Sequence, residues 1–471
     1  MNSLSMDKVN MFYDLIDEAC MLLYDEINLD YLNALIRVGN DIVFQIDDSK
    51  ITLDTYNKLK DIIADLIDKF NDNNFDINQN GYYVLNLDDY HGLLYIFNSK
   101  YIPCQNKEQV TYFFDKGVYN VGTITLKSNE SIYIDKDAYV FGSIYAENAE
   151  NLRIYGNGVF DQSYQERLTS SCYVAGNIKL VKCNNVIIDG VGFTNSRAWC
   201  ISMYNCFGIT IDNVKVFGEW KYNTDGIDIV NSQDVTVKNT FVHSFDDTIT
   251  IKAYDASLQL EEIGNCNYDC KNILIESCTL LCDWGRCLEL GFETACKEYK
   301  NIVWRDIDIL HVEGYALSIH NGDYAEIHDV LFENIRIEFN GFDTASQYQS
   351  SDEVQYLNQD VISTPAVLCV NNSRFREEYD LTKEFGEAVK SLKYISYCHH
   401  ITARNIYLYY DDRIPKVNGK YNARICIDQI VEGTVFDNLV IENLFINGEK
   451  NPVRINLTFH DLTIIILNII Y

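Results

Sequence analysis

Asn223-Thr224-Asp225-Gly226-Ile227-Asp228-Ile229-Val230 and, one repeat later, Asp246-Asp247-Thr248-Ile249-Thr250-Ile251-Lys252 decide how this chain is read. Asp225 precedes Asp246 by 21 residues and Asp247 by 22. Each acidic segment runs straight into apolar residues that alternate with polar ones, the period of a half-buried strand. No helix or hairpin sets both segments on one surface at that separation, whereas one coil of a parallel β-helix does. The frame continues as Cys287-Leu-Glu-Leu-Gly291 and Ala316-Leu-Ser-Ile-His320. Ile227, Ile249, Leu288 and Leu317 then form one inward ladder, and Ile229, Ile251, Leu290 and Ile319 the next, as stacked solenoid coils require. The predicted fold class is all-β, a single-stranded parallel β-helix with a partly helical N-terminal region.

A second set of strands repeats out of phase with the first, at Val235-Thr-Val237, Ile273-Leu-Ile275 and Ile302-Val-Trp304. Val235 to Ile273 spans 38 residues and Ile249 to Leu288 spans 39, whereas Ile273 to Ile302 and Leu288 to Leu317 both span 29. One insertion between Lys252 and Lys271 explains both long intervals, and its loop is expected to overhang the two Asp motifs. Similar fragments, from Gly122-Thr-Ile-Thr-Leu126 to Leu439-Val-Ile441, extend the solenoid from about residue 109 to 450. Residues 341–395 break the pattern and read as a long insertion, and residues 451–471 as a terminal strand or tail. Residues 1–108 are set apart because, before residue 75, apolar residues recur at three and four, notably in Val9 to Leu23 and Thr55 to Phe70. A helical cap over the open end of the solenoid is the expected role.

The chain has 471 residues, 47% of them hydrophobic, enough for a large elongated core. Only 4 prolines and as many as 34 tyrosines favour an ordered, strand-rich protein. A formal charge of -31 repels phosphate backbones and anionic lipid, so neither nucleic acid nor a membrane is an expected partner. The N-terminus lacks a basic region followed by an apolar one, and the apolar run Ile464 to Ile470 is too short to span a bilayer. Fifteen scattered cysteines fit reduced thiols, so a cytoplasmic location is expected, or a secreted one if a leader has been removed.

From about residue 109 to 335 the chain resembles the polygalacturonase family of pectin-degrading hydrolases, glycoside hydrolase family 28, within the pectin-lyase-like superfamily. The residues that carry the resemblance are Asn223-Thr224-Asp225-Gly226, the Asp246-Asp247 pair, Gly156-Asn-Gly-Val-Phe-Asp161 and Asn195-Ser-Arg-Ala-Trp199. It implies a right-handed coil and inverting hydrolysis of a polysaccharide or oligosaccharide, with Asp246 as general acid and Asp225 and Asp247 activating water. The residues themselves agree in kind, because glycoside cleavage needs one protonated and one ionised carboxyl, and crowding three acids raises at least one pKa. Coils stack about 4.8 Å apart, a separation that by distance alone suggests retention, whereas the family inverts. A lone Asp in such a solenoid more often closes a turn; three in this arrangement point to chemistry.

Departures from the family pattern fall on substrate contacts. Where the family has Gly-His-Gly, this chain has Gly285-Arg286-Cys287, and the Arg-Ile-Lys that grips galacturonate aligns with Ser318-Ile319-His320. Lys252 shares the outward column of His320, and Arg286 that of Asp225 and Asp247, so these cations could partly compensate. Glu289, beside Asp228 and Ser318, would repel a carboxylate and better suits the hydroxyls of a neutral sugar. Asn223, Lys252, Arg286, Glu289 and His320 are therefore the expected substrate-binding residues. Arg286 could equally serve only to neutralise the acids. Trp199 and Trp284 are more often core than sugar platforms. Cys266, Cys270, Cys278 and Cys282 repeat a CxxxC spacing but read as buried strand thiols, so no metal or other cofactor is expected. Two rival readings remain: a calcium-dependent polysaccharide lyase with Arg286 as base, and a non-catalytic carbohydrate-binding β-helix.

Overall fold

The computed structural model describes residues 93–167, 173–219, 221–255, 263–264, 266–339, 396–412, 414, 416, 418–428 and 434–451, with strands at 32–38, 41–47, 81–86, 345–347, 354–356, 366–371, 455–460 and 465–470. Four N-terminal strands, β1 (Leu32–Val38), β2 (Asp41–Asp47), β3 (Gly81–Asn86) and β4 (Leu93–Ser99), form a separate sheet in the order β1-β2-β4-β3. Twenty-nine strands form the second sheet, whose parallel members wind as a single-stranded, right-handed β-helix.

One face of the solenoid carries the strands that matter for function. In chain order they are β5 (Ile178–Val181), β6 (Ile201–Tyr204), β7 (Ile227–Val230), β8 (Ile249–Ala253), β9 (Arg286–Thr294), β10 (Tyr315–Asn321) and β11 (Ala366–Asn371). Each pairs in parallel with the next. The inward ladder stands as read, Ile227 opposite Ile249, Ile249 opposite Leu288, and Leu288 opposite Leu317, and it continues to Leu368. All five are essentially buried. Burial of each such side chain is worth about 1.5–3 kcal/mol, so the ladder drives coil stacking. The out-of-phase strands pair as the second ladder requires, Val235 with Ile273 and Ile273 with Ile302.

Asparagine closes the turns. A turn between parallel strands needs a left-handed residue, and among residues with a side chain Asn bears that conformation at least cost. Asn151, Asn185, Asn272, Asn301, Asn334, Asn405 and Asn443 all have φ between 51 and 58°. Their amides link coil to coil: Asn185 Nδ2 donates to Asn151 Oδ1 at 2.7 Å, Asn301 to Asn272 at 3.1 Å, and Asn405 to Asn334 at 2.9 Å.

Three features differ from, or add to, what the sequence suggested. β11 lies inside the stretch read as an insertion, yet its Leu368 and Val370 extend both inward ladders. What is described of residues 1–108 is chiefly sheet, with one short 3-10 turn at Lys107–Gln109, while the helical segments expected at 9–23 and 55–70 lie outside the described residues. After residue 451, Ile455–His460 and Ile465–Ile470 run antiparallel to their partners and finish the sheet. The N-terminal sheet docks through Tyr95 and Phe97 of β4, which pack on Val159, Phe217, Phe241 and Leu281 along the flank of the solenoid.

Candidate active site

Backbone hydrogen bonds put Asp225, Asp247 and Arg286 into one column on consecutive coils. Gly226 N donates to Asp247 O at 2.8 Å, and Thr248 N donates to Arg286 O at 2.8 Å. Two glycines let the coils approach this closely. A Cβ on Gly226 would meet Val242 Cγ1 at 2.3 Å and Thr248 O at 2.5 Å, and one on Gly285 would meet Asp247 N at 2.6 Å and Oδ1 at 2.7 Å. A side chain after Asp225 would therefore push on Val242 and the Thr248 carbonyl, and one beneath Asp247 would displace that acid.

All three acids are buried. Asp246 is fixed through its carbonyl, which accepts from the Ser244 hydroxyl at 2.6 Å, and its Oδ1 accepts from Asp247 N at 3.0 Å. Burial, then the charges of Asp225 and Asp247, push the Asp246 carboxyl well above the usual range and favour its protonated form. Asp247 Oδ1 accepts from Arg286 N at 3.0 Å and lies 3.5 Å from Arg286 Nη1. Burial raises Asp225 to about 6, and Lys252 limits the rise. Asp246 is thus biased toward its protonated form while Lys252 holds Asp225 toward its ionised one, the division of labour that acid-base chemistry requires.

Lys252 is the hub of the site. Its ammonium donates to Asp225 Oδ2 at 2.7 Å and Asp228 Oδ1 at 2.8 Å, and lies 3.9 Å from the centroid of the Trp199 ring. Burial opposes its charge, but Asp225 and Asp228 outweigh that and hold it well above the ordinary lysine range. The middle outward column runs Asp228, Thr250, Glu289, Ser318, as read from the alternation. Glu289 is fully buried, and burial raises its carboxyl to about 8 against the pull of Arg286, whose Nε is 3.9 Å away. Ser318 lies close enough to temper that rise, yet neither Glu289 oxygen finds a hydrogen-bond partner of proper geometry among the described residues.

The sequence-predicted residues are not all equally placed. Arg286 stands beside Asp247 with its side chain 30% exposed. His320 opposes Gly291 one coil along and packs edge-on against Phe292, with ring centroids 3.9 Å apart. Asn223 accepts at its Oδ1 from Arg167 Nη2 at 3.1 Å, and its φ of 56° marks it as a turn former. Trp199 is buried, as a core residue would be, but it also floors Lys252. Trp284 stacks on Phe245. Of the four CxxxC cysteines, Cys266 packs in a different cluster from Cys270, Cys278 and Cys282.

Sequence reasoning gave Asp228 no role beyond its column and missed Arg167. It also missed a buried relay in which Tyr95 Oη lies 2.6 Å from His243 Nδ1 and His243 Nε2 lies 2.8 Å from Asp283 Oδ1. A separate cleft lined by Tyr82, Asp189, Asp212, Asp306, Asp308 and Arg336 contains none of the three acids.

The sequence profile described as glycosyl hydrolases family 28 matches residues 101–338, which is 238 of 471 residues. The chain belongs to glycosyl hydrolases family 28. The matched span includes Asp225, Asp246, Asp247, Lys252, Arg286, Glu289 and His320. Among curated relatives, it is 24% identical over 153 residues to a polygalacturonase from Malus domestica, covering 30% of this chain and 32% of that protein. It is 27% identical over 171 residues to an exopolygalacturonase from Oenothera organensis, covering 31% of this chain and 47% of that one. The chain thus spans about a third to a half of the length of these family 28 relatives. A hyperthermoactive exopolygalacturonase from Thermotoga maritima superimposes with a TM-score of 0.43 at 14% identity, over 75% of this chain and 86% of that one.

Proposed function

We propose that this protein is an inverting glycoside hydrolase that cleaves O-glycosyl bonds in a pectic or related polysaccharide or oligosaccharide. The observation that carries the reading is the placement of Asp225, Asp246 and Asp247 together on adjacent coils, all three buried and Asp246 biased toward its protonated form. Asp246 gives its proton to the glycosidic oxygen as the bond breaks, while Asp225 and Asp247 take a proton from the attacking water. Lys252 keeps Asp225 able to serve as a base by limiting the rise that burial imposes. Tyr254, Trp199 and Ile263 pack in one buried apolar cluster, and its Trp199 ring lies 3.9 Å from the Lys252 ammonium. The formal charge of -31 favours a polysaccharide over nucleic acid as the macromolecular partner. Among the described residues no helix is long and apolar enough to cross a membrane. The thirteen described cysteines are all free thiols, which supports a reducing compartment.

The test is to incubate the protein with pectic and neutral glycans and follow new reducing ends together with unsaturated uronides. Reducing ends without unsaturated product are expected, and their loss in Asp246→Asn ties them to this site. Unsaturated product, or full activity of that variant, would refute the reading.

A further inference from the structure

We infer that the glycosyl unit seated over the three acids is uncharged, either a neutral sugar or a uronosyl unit whose carboxyl is esterified. This inference rests on the hydrolase reading and adds the substrate's charge class to it.

The argument is a charge count. Five carboxyl groups meet at this place: Asp225, Asp228, Asp246, Asp247 and Glu289. The fixed positive charges that act on them are Lys252 and Arg286. Both are already matched. Lys252 is held between Asp225 and Asp228 at 2.7 and 2.8 Å, with its side chain 5% exposed. Arg286 faces Asp247 at 3.5 Å and Glu289 at 3.9 Å. Other basic side chains nearby serve other groups: Arg167 donates to Tyr222 O at 2.9 Å and Asn223 Oδ1 at 3.1 Å, Lys179 donates to Tyr173 O at 2.5 Å, and Lys221 acts on Glu219. A carboxylate brought into this site would find no surplus cation and would face buried acceptors instead.

Those acceptors point the same way. Asp225 Oδ1, Asp228 Oδ2 and both Glu289 oxygens are buried without a hydrogen-bond partner among the described residues. Buried acceptors are costly until a donor reaches them. Sugar hydroxyls donate to an ionised oxygen and accept from a protonated one, whereas a carboxylate can only accept. Burial also holds Asp228, Asp246 and Glu289 toward their protonated forms. An added carboxylate would raise them further and would raise Asp225 with them, draining the ionised state in which Asp225 activates water. His320 lies one coil beyond Glu289 and can gain positive charge by protonation.

The experiment uses the full chain and three probes of equal length: a free-acid oligogalacturonide, the same oligomer fully methyl-esterified, and a neutral galactan oligomer. Because like-charge juxtaposition costs several kcal/mol, kcat/KM is expected to favour an uncharged probe over the free acid by at least about tenfold. The preference is expected to persist in His320→Gln; added salt should leave kcat/KM of the uncharged probe little changed and raise that of the free acid as its repulsion is screened. Which uncharged probe is cleaved separates the esterified source from the neutral one. A free acid cleaved as well as either uncharged probe overturns the inference. Should no probe be cleaved, the hydrolase reading fails, and calorimetric binding of the same probes decides the charge class. Tighter binding of an uncharged probe then upholds it; tighter binding of the free acid, or no binding of any probe, overturns it.

Discussion

Lys252 and Asp225 form a buried ion pair, ammonium to carboxylate 2.7 Å apart, with side chains 5% and 2% exposed. The pair comes from adjacent strands of one face: Lys252 lies opposite Val230, and Asp225 lies just ahead of the strand that Val230 ends. Asp225 therefore carries its charge within the protein interior because a neighbouring coil supplies the opposite one.

Asp246→Asn is expected to lower turnover on a natural glycan by about a hundredfold to ten-thousandfold, the usual range for lost general acid assistance, while leaving the melting temperature close to the parent's. A nitrophenyl glycoside has a leaving group that needs little protonation and should partly restore this variant, but neither Asp225→Asn nor Asp247→Asn. Equal activity of Asp246→Asn and parent on the natural glycan would exclude Asp246 as the acid.

Activity should fall on the acid side as Asp225 is protonated near pH 6 and on the alkaline side as Asp246 loses its proton at a higher pH. Lys252 lowers the Asp225 value, so Lys252→Met is expected to move the acid limb of the kcat profile upward. Leaving two buried acids without their cation should also cost roughly 3–5 kcal/mol in urea unfolding. An unmoved acid limb in a folded variant would show that the limb belongs to another group.

Glu289→Gln should stabilise the protein, and more so at higher pH. The folded chain holds Glu289 near 8, against roughly 4.3 for an unfolded glutamate. Between those values the folded state binds the extra proton, so stability falls as pH rises through the window. Glutamine has no proton to lose. The gain in Tm should be small at about pH 4 and reach on the order of a few degrees at about pH 8. A gain that shrinks as pH rises would contradict a protonated Glu289.

Gly285→Ala probes the close approach beneath Asp247. A methyl group 2.7 Å from Asp247 Oδ1 forces that carboxylate away from Arg286 N. Displacements of about 1 Å at reacting groups cost on the order of a hundredfold in rate. The expected result is a fall in kcat of that order with circular dichroism unchanged, and wild-type kcat would show that the turn relaxes without moving the acid.

The repeating face was legible because its signal is local and repeated. Ile227, Ile249, Leu288 and Leu317 are each flanked by polar residues in the same frame, and the 29-residue intervals exposed the insertion between Lys252 and Lys271. β11 was hidden for the opposite reason: Ala366-Val-Leu-Cys-Val370 is a single apolar run set in polar sequence, without a neighbour at the right interval. The three acids stood out by spacing. Asp228 did not, because an outward Asp on a strand looks like a solvated residue until the fold buries it against Lys252. The Tyr95 to His243 contact joins residues 148 apart from two different sheets, and no periodicity announces such a meeting.

The asparagine amides that run from coil to coil set the unit of change for this protein. Asn151 donates to Asn129 and accepts from Asn185, so each amide ties the coil before it to the coil after it. A single residue added within a strand would break that chain and turn one face's side chains the wrong way. Length can therefore vary in whole coils or in the loops between strands, and nowhere else at low cost. The loop after Lys252 can therefore change length at low cost, while the interval from Asp225 to Asp247 is pinned at one coil by the bond from Gly226 N to Asp247 O.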